Sequence, residues 1–422
     1  MATDKERKLE AKQRRAFFKK LCKEHYTVIV PDMLPIHFDL IRSILAKKGL
    51  NYVVVPPMGR EAKDEGLRTV QNDACYPAII TTGQFVSELK SGKYDLNKTA
   101  VIMSQTGGGC RASNYISLIR KALEKEFPTV PVISLNFSGL EKMFSLPLNL
   151  REMYQMIHAV MYGDMLMNLY DQAIPYHEEK EVTDALNYCM DELKKKIGHH
   201  SFYRRRANYK MMLKAFDNLK PNIEKRKPRV GIVGEIYVKY SAYANNNLAE
   251  FLVKQGCEVV YPSLAEFCLY CIYNNINDYN QYGQGKATVG AFKIAYRIFL
   301  KATRTQAKAM KNSGFLPYED FEHVVEEGKK VINTGVKMGE GWLIPAEMVA
   351  FVEGDTKNIV VVQPFGCLPN HIVGKGMIRP VKALVPEANI IPLDFDASST
   401  QVNQENRLKL MLANLRREME SK

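Results

Sequence analysis

Long apolar runs are missing from this 422-residue sequence, in which no stretch approaches the roughly 18 apolar residues of a membrane-spanning helix. The first 20 residues, MATDKERKLEAKQRRAFFKK, are rich in charge and lack the apolar segment of a secretion signal. From these two absences we expect a cytoplasmic protein that does not enter a membrane.

Motifs of nucleotide sites are missing as well. The run TGGGC at 106–110 lacks the GxxxxGK[ST] pattern of a phosphate-binding loop. No strand-like run is followed by GxGxxG with an acidic residue about 20 positions later, and no GxSxG elbow occurs. Nucleotide binding by this chain is therefore not supported.

Positive charge is in excess, with 59 Lys and Arg against 46 Asp and Glu and a formal net charge of +13. Much of the excess lies in two helical stretches, 5–23 and 194–229. A basic balance favours anionic partners, but solvated helix faces are the simpler interpretation of both stretches. Because no aromatic stacking pattern, zinc finger or RNP motif accompanies them, we expect no nucleic-acid partner.

Short β-branched runs alternate with longer helical segments, which is typical of parallel βαβ units. The strand-like runs are YTVIVP (26–31), NYVVVPP (51–57), TAVIMSQ (99–105), VPVISLNF (130–137), RVGIVGEIYV (229–238), CEVVYP (257–262), NIVVVQPF (358–365) and ANIIPLDF (388–395). Runs without polar alternation suit sheets that are covered on both faces. The pattern predicts an α/β protein with two Rossmann- or flavodoxin-like parallel-sheet units joined by a helical connector.

Four segments follow from this pattern. Residues 1–25 form a charged amino-terminal helix, 26–149 a first α/β domain, 150–228 the helical connector, and 229–422 a second α/β domain with a helical insertion. Only segments 26–149 and 229–422 carry strand signals, so we expect the ligand sites there.

Three of the eight cysteines fall where ligands bind in parallel sheets, beyond the carboxyl ends of strands. Cys110 ends SQTGGGC after one strand, and Cys367 lies in QPFGC after another. Cys75 lies at a predicted helix amino terminus, a position that favours the metal-binding thiolate. The neighbouring glycines let the backbone approach a bulky ligand, and their N–H groups can face an anionic one. These residues predict a metal or cluster site.

The other cysteines are less informative. Cys268 and Cys271 have CxxC spacing, but they lie in the apolar segment EFCLYCIY without a second pair, which is unlike a zinc site. They fit the core of a helix, and extra ligation of a larger cluster is the alternative. The three turn cysteines could also be incidental, although structural cysteines usually lie in apolar segments.

Five pieces of the sequence carry a family resemblance. They are NDACYPA (72–78), TGGGCRASNY (106–115), GEIYVKYSAYANNNLAEFLVKQG (234–256), QPFGCLPNHI (363–372) and DFDASSTQVNQENRLK (394–409). In these pieces the chain resembles the 2-hydroxyacyl-CoA dehydratase family, which includes subunits of 2-hydroxyglutaryl-CoA dehydratase and benzoyl-CoA reductase. It is most similar to the dehydratase-like part of acyl-CoA dehydratase activase-related proteins.

The resemblance implies a 4Fe–4S cluster held by Cys75, Cys110 and Cys367, with one iron open to substrate. It also implies a lyase that uses a low-potential electron from an ATP-dependent iron–sulfur activator for radical dehydration or reduction of an acyl-CoA. A homologous partner subunit or a homodimer is expected. Two alternatives stay open: a double-cubane-type reductase of small molecules, with Cys268 and Cys271 as added ligands, or a non-catalytic electron-transfer or scaffold subunit.

Further residues near these turns are candidates for supporting roles. Glu235 follows a strand, where its carboxylate either faces a ligand or caps the next helix. His371, four residues after Cys367, is placed to donate a hydrogen bond or proton, so Glu235 and His371 are the candidate catalytic residues. Arg111 would offset cluster or CoA phosphate charge. The candidate cofactor-binding residues are Gly108, Gly109, Gly366 and Arg111.

Overall fold

A computed structural model describes residues 4–56, 58–71, 73–105, 109–136, 146–222 and 224–420. Within these residues, eight strands form two four-stranded parallel sheets among many helices, which confirms the predicted α/β fold class. The chain divides into two compact units. The first comprises Met1–Tyr154 and Pro364–Cys367, and the second comprises Gln155–Gln363 and Leu368–Lys422.

The first unit is built on strands β1 to β4 in the order β2-β1-β3-β4. Their bounds are Thr27–Val30, Asn51–Val54, Thr99–Gln105 and Val132–Asn136. Its helices are α1 (Asp4–Lys23), α2 (Pro35–Ala46), α3 (Arg60–Thr69), α4 (Tyr76–Lys90) and α5 (Tyr115–Glu126), with 3₁₀ turns at Leu96–Lys98 and Arg111–Asn114. Val28 and Ile29 of β1 are fully buried, as expected for a sheet covered on both faces.

The second unit repeats this strand order, with β5 to β8 arranged β6-β5-β7-β8. The strands are Arg229–Gly234, Glu258–Val260, Asn358–Pro364 and Asn389–Phe395. The long helices are α6 (Leu150–Ala173), α7 (Glu179–Lys196), α8 (Arg205–Ala215), α11 (Leu264–Tyr282), α12 (Val289–Met310), α13 (Phe321–Val331), α14 (Leu343–Glu353) and α16 (Gln401–Glu420), and the short ones are α9 (Ile236–Tyr240), α10 (Leu248–Lys254) and α15 (Ile378–Leu384). All seven residues of β7 are buried.

The stretch 150–228 is helical and belongs, after its first five residues, to the second unit. Its longest helix, α6, contributes Asp164, whose buried carboxylate accepts hydrogen bonds from the N–H groups of Leu264 and Ala265 at 2.7 and 3.0 Å. Those N–H groups belong to the first turn of α11, where a carboxylate is favoured. Asp164 therefore joins this helical stretch to the body of the second unit.

One local prediction differs from the structure. Helix α3 was not predicted, because its sequence REAKDEGLRT is charged and contains a glycine. Strand β5 ends at Gly234, so Glu235 lies directly after it as predicted, and Ile236 begins α9. Of the two roles considered for Glu235, the structure shows the cap: its carboxylate accepts a hydrogen bond from the Val238 N–H.

Helices α3 and α4 approach closely through two glycines. A Cβ on Gly83 would lie 1.8 Å from the carbonyl oxygen of Ala62, and a Cβ on Gly66 would lie 2.2 Å from that of Ile79. Atoms at such distances overlap, so these two helices pack at this separation only because both positions lack a side chain. The contact fixes α4, the helix that begins directly after Cys75.

We predict that Gly83→Ala destabilises the protein by about 1–3 kcal/mol, because the new methyl group overlaps backbone rather than a movable side chain. Chemical denaturation measures the change. The matched control is Gly290→Ala in α12, where an added Cβ meets nothing within 4 Å. Helix propensity alone should stabilise that variant by up to about 1 kcal/mol. Equal stability of the two variants would contradict the close packing of α3 and α4.

Candidate functional site

Cys75 is the residue that immediately precedes α4. Its backbone is extended, with φ −64° and ψ 147°, and its side chain is buried with 4% exposure. The carbonyl oxygen of Cys75 accepts from the N–H of Ala78 at 2.9 Å, which closes the first turn of the helix. The Cys75 side chain is therefore held at a helix amino terminus, where a thiolate is favoured.

The turn that contains Gly366 packs directly on Cys75. The N–H of Tyr76 donates to the carbonyl oxygen of Phe365 at 2.9 Å, and the Cβ position of Gly366 lies 3.2 Å from the Cα of Cys75. Gly366 has φ +70°, a conformation that L side chains rarely adopt. Any side chain there would meet both backbone strain and the start of α4. Glycine at 366 thus allows the segment leading to Cys367 to reach Cys75.

The segment that follows Cys110 contacts Cys75 through a tyrosine. Cys110 is partly exposed and precedes the 3₁₀ turn Arg111–Asn114, which leads directly into α5. The first residue of α5 is Tyr115, and its hydroxyl lies 3.2 Å from the Sγ of Cys75 at a buried position. The helix that follows Cys110 is therefore hydrogen-bonded to the side chain of Cys75.

The structure describes only some of the other residues predicted for the site. Gly109 is exposed beside Cys110, whereas Gly108 and the side chain of Arg111 lie outside the described part of the chain. Cys367 is partly exposed, and its N–H donates to the carbonyl oxygen of Pro364 at 3.2 Å. Phe365, two residues before it, is 52% exposed.

Cys268 and Cys271 lie within α11. Cys271 packs against an aromatic core cluster of the second unit that includes Trp342 and Phe321. Burial, reinforced by the negative charge of Glu340, raises the pKa of the Cys271 thiol to about 12. Burial likewise raises the pKa of the Cys268 thiol. Both thiols are therefore protonated at neutral pH in the metal-free protein.

Glu235 serves as the cap of α9. Its carboxylate accepts from the N–H of Val238 at 2.8 Å, and the side chain is 5% exposed. Burial first, and then the nearby charge of Glu340, raise the pKa of Glu235 to about 8. This carboxyl group therefore holds its proton near neutral pH, unlike an ordinary surface glutamate.

Three further buried glutamates and one lysine lie in the same region of the second unit. Glu340 accepts from the N–H of Ile236 at 2.9 Å and from the side-chain amide of Asn370 at 3.3 Å. The Lys239 ammonium lies 3.2 Å from Glu347, and both side chains are at most 3% exposed. Four carboxyl groups around one ammonium cannot all be ionised at such burial.

Burial raises the pKa values of Glu266 and Glu347. For Glu266 the charge of Glu347 adds to the rise, whereas the Lys239 ammonium opposes the rise for Glu347. Burial thus favours the protonated form of both carboxyl groups, and Lys239 partly offsets this for Glu347.

His371 lies in a π-helical turn, Asn370–Gly374, in the second unit. Its imidazole is exposed, and its Nδ1 is hydrogen-bonded to the side-chain amide of Gln363. Gln363 therefore fixes the orientation of the ring and leaves Nε2 as the nitrogen that can exchange a proton with solvent.

In the part of the chain that the structure describes, one group of side chains meets closely enough to hold a single metal ion: His323, Glu327 and Glu353. Lys330 lies 2.6 Å from Glu327 and 3.7 Å from Glu353. An ammonium group thus already pairs with both carboxylates, so we interpret this group as an ion-pair cluster of α13 and α14.

Sequence reasoning missed two residues of the first unit, one in contact with Cys75 and one at the carboxyl end of β1. Tyr115 bonds to Cys75, and its only sequence signal is its position at the start of the helix after Cys110. Asp32 follows β1, next to β3 in the sheet, and burial raises the pKa of its carboxyl group. Its signal is an acidic residue directly after a strand-like run.

No protein-family model matches the chain, and no curated protein matches it in sequence. Among the described residues, no helix is both long and apolar enough to cross a membrane.

We predict that the stability of the protein falls as pH rises from the ordinary glutamate pKa of 4.5 to about 8, and that Glu235 contributes to the fall. The folded state binds the Glu235 proton more tightly than the unfolded state, so this stabilisation is full at low pH and is lost through that window. Glu235→Gln should reduce the slope by up to about 1.4 kcal/mol per pH unit, since a glutamine oxygen still accepts from Val238.

Denaturant unfolding at several pH values measures this slope. The control is Glu250→Gln on α10, where the carboxylate is 58% exposed and should leave the slope unchanged. Identical slopes for the wild type and Glu235→Gln would show that the Glu235 carboxyl is ionised throughout the window.

Proposed function

We propose that this chain is an iron–sulfur protein of the 2-hydroxyacyl-CoA dehydratase type, in which Cys75, Cys110 and Cys367 hold one 4Fe–4S cluster. The observation that carries the proposal is the packing of the Gly366 turn on Cys75. It joins two segments that are far apart in the sequence, and each contains one of the proposed ligands. The hydrogen bond between Tyr115 and Cys75 adds support, because Tyr115 begins the helix after Cys110.

The donor set fits such a cluster. Cysteine thiolates are the usual ligands of iron–sulfur clusters, and backbone N–H groups in glycine turns stabilise their negative charge. Cys75 is buried, whereas Cys110 and Cys367 are partly exposed. Partial exposure of two ligands suits a cluster that must accept an electron from another protein and meet a substrate.

When bound, the cluster would supply a low-potential electron and an open coordination position for a substrate oxygen. The residues of the chain have simpler roles in this proposal. Tyr115 donates a hydrogen bond to the Cys75 thiolate, which has no proton of its own. Phe365 offers an exposed ring that a substrate or partner can cover. The substrate is an acyl-CoA, and the electron comes from an ATP-dependent activator protein.

The positions of Cys268 and Cys271 favour this single-cluster form over a double-cubane reductase. A larger cluster would require two more thiolates, whereas these two partly buried thiols lie within α11 and burial raises their pKa values. A non-catalytic electron-transfer subunit would use the same cluster and is distinguished by its failure to bind acyl-CoA.

We predict about four iron atoms and four acid-labile sulfides per chain in protein purified without oxygen, and their loss in Cys110→Ala. The matched control is Cys189→Ala, which removes a buried thiol from the middle of α7 and should keep the full iron content. Iron and sulfide assays together with the visible spectrum make the measurement.

Full iron in Cys110→Ala, or none in reconstituted wild type, would overturn the assignment. About eight irons would favour the double-cubane reductase. An intact cluster without acyl-CoA binding in calorimetry would favour the electron-transfer role.

We further predict that Tyr115→Phe keeps the iron content and shifts the reduction potential to a more negative value. A hydrogen bond to a ligand sulfur stabilises the reduced, more negative cluster, so its loss disfavours reduction. Anaerobic redox titration with optical or paramagnetic-resonance detection gives the potential. The control is Tyr162→Phe, which removes a buried hydroxyl bonded to the carbonyl of Phe202 in the second unit. An unchanged potential in Tyr115→Phe would contradict ligation by Cys75.

A further inference from the structure

Two helices of the second unit carry positive charge without any negative charge. Helix α12 contains five Lys and Arg and no Asp or Glu over 22 residues. Helix α8, which packs against it, contains four and again no acidic residue. Several helical lysines elsewhere in the chain have partners one turn away, as in Lys195 with Glu192, Lys254 with Glu250 and Lys329 with Glu326. The absence of acidic residues distinguishes α8 and α12 from the other long helices of the second unit.

An open groove of about 820 Å³ lies between the two helices. Six exposed cations line it: Arg206, Lys210, Arg297, Lys301, Arg304 and Lys308. Arg304 is paired with Asp320 and Glu322. For the other five, the described residues provide no carboxylate within ion-pair distance. We call this feature the basic groove.

The basic groove is electrostatically unfavourable in the isolated chain. Arg297 and Lys301 are four residues apart on α12, and like charges at this spacing destabilise a helix. An anion seated in the groove would relieve this repulsion. The row from Arg297 to Lys308 covers about 16 Å of helix, which calls for an elongated anion rather than a single phosphate.

Apolar groups accompany the cations. Leu213, Leu300 and Ala309 form part of the groove wall. Ile294 and Ile298, 60% and 45% exposed, lie three residues before Arg297 and Lys301 and so adjoin the row of cations on α12. The groove wall contains no aromatic ring on which a base could stack. Cations beside exposed aliphatic side chains match a ligand with both carboxylates and apolar residues.

We propose that the basic groove binds an acidic amphipathic helix of a partner protein. Carboxylates spaced four residues apart on that helix would face the row of cations on α12, and its apolar residues would cover Ile294 and Ile298. The concave shape between two helices suits a helix better than a flat bilayer. This inference is independent of the proposed iron–sulfur chemistry, because no residue of the groove belongs to that site.

The test uses the full chain and a labelled synthetic helix of roughly 20 residues with Glu on one face and Leu and Ala on the other. A second peptide with Gln in place of every Glu is the control ligand. Fluorescence anisotropy should show binding of the Glu peptide alone, and the affinity should fall as salt is raised. No binding of the Glu peptide at low salt, or equal binding of the Gln peptide, overturns the proposal.

The variant Arg297→Glu with Lys301→Glu should weaken binding by about tenfold or more, because two attractions become repulsions. The matched control, Lys357→Glu with Lys382→Glu, changes the net charge equally at exposed positions outside the groove and should alter binding less than about twofold. Equal weakening in both would mean a net-charge effect and would overturn the proposal.

Tighter, groove-dependent binding of a DNA duplex or of anionic vesicles would overturn the choice of partner. Circular dichroism verifies that each variant is folded.

Discussion

Parallel pairing of the two central strands of each sheet is the constraint on which the rest of this structure depends. In both units the first strand pairs with the third, and the second lies on the outer side of the first. After the two central strands the chain therefore crosses to opposite sides of the sheet, so the loops that follow these strands diverge. Parallel sheets bind ligands between such diverging loops. In the first unit these loops follow Val30 and Gln105 and contain Asp32 and Cys110. The corresponding loops of the second sheet follow β5 and β7, and they contain Glu235 and the turn before Cys367.

The surroundings of Cys75 and of Lys239 are stabilised by different kinds of interaction. Around Cys75 the chain uses backbone contacts and a glycine, because the Gly366 turn can reach the start of α4 only without a side chain. Around Lys239 the chain buries more carboxyl groups than one ammonium can balance, and the burial raises their pKa values instead. The second unit consequently holds protons inside its fold at neutral pH, and its stability depends on pH for that reason.

The formal charge of +13 is also distributed unevenly over the chain, which its composition does not reveal. Most helical lysines with known partners are neutralised within one turn of their own helix, so they contribute little to the field outside the protein. Helices α8 and α12 have no such neutralisation, and their packing places two basic faces along one groove. The sequence pattern of 194–229 suggested only a solvated face, because the basic row on α12 lies far along the chain.

By itself the sequence determined the α/β class, most strand positions and the place of Cys75 before a helix, because β-branched runs, apolar spacing and glycine turns act locally. It missed α3, whose charged sequence offers few apolar residues to mark a helix face, and it left open whether Glu235 faces a ligand or caps a helix, which the hydrogen bond from Val238 decides in favour of the cap. Only the tertiary structure decided that the Gly366 turn lies on Cys75 and that Tyr115 bonds to the Cys75 sulfur. Local patterns specify which turns form. Which turns meet depends on packing between residues distant in the chain, and that packing leaves no local pattern to read.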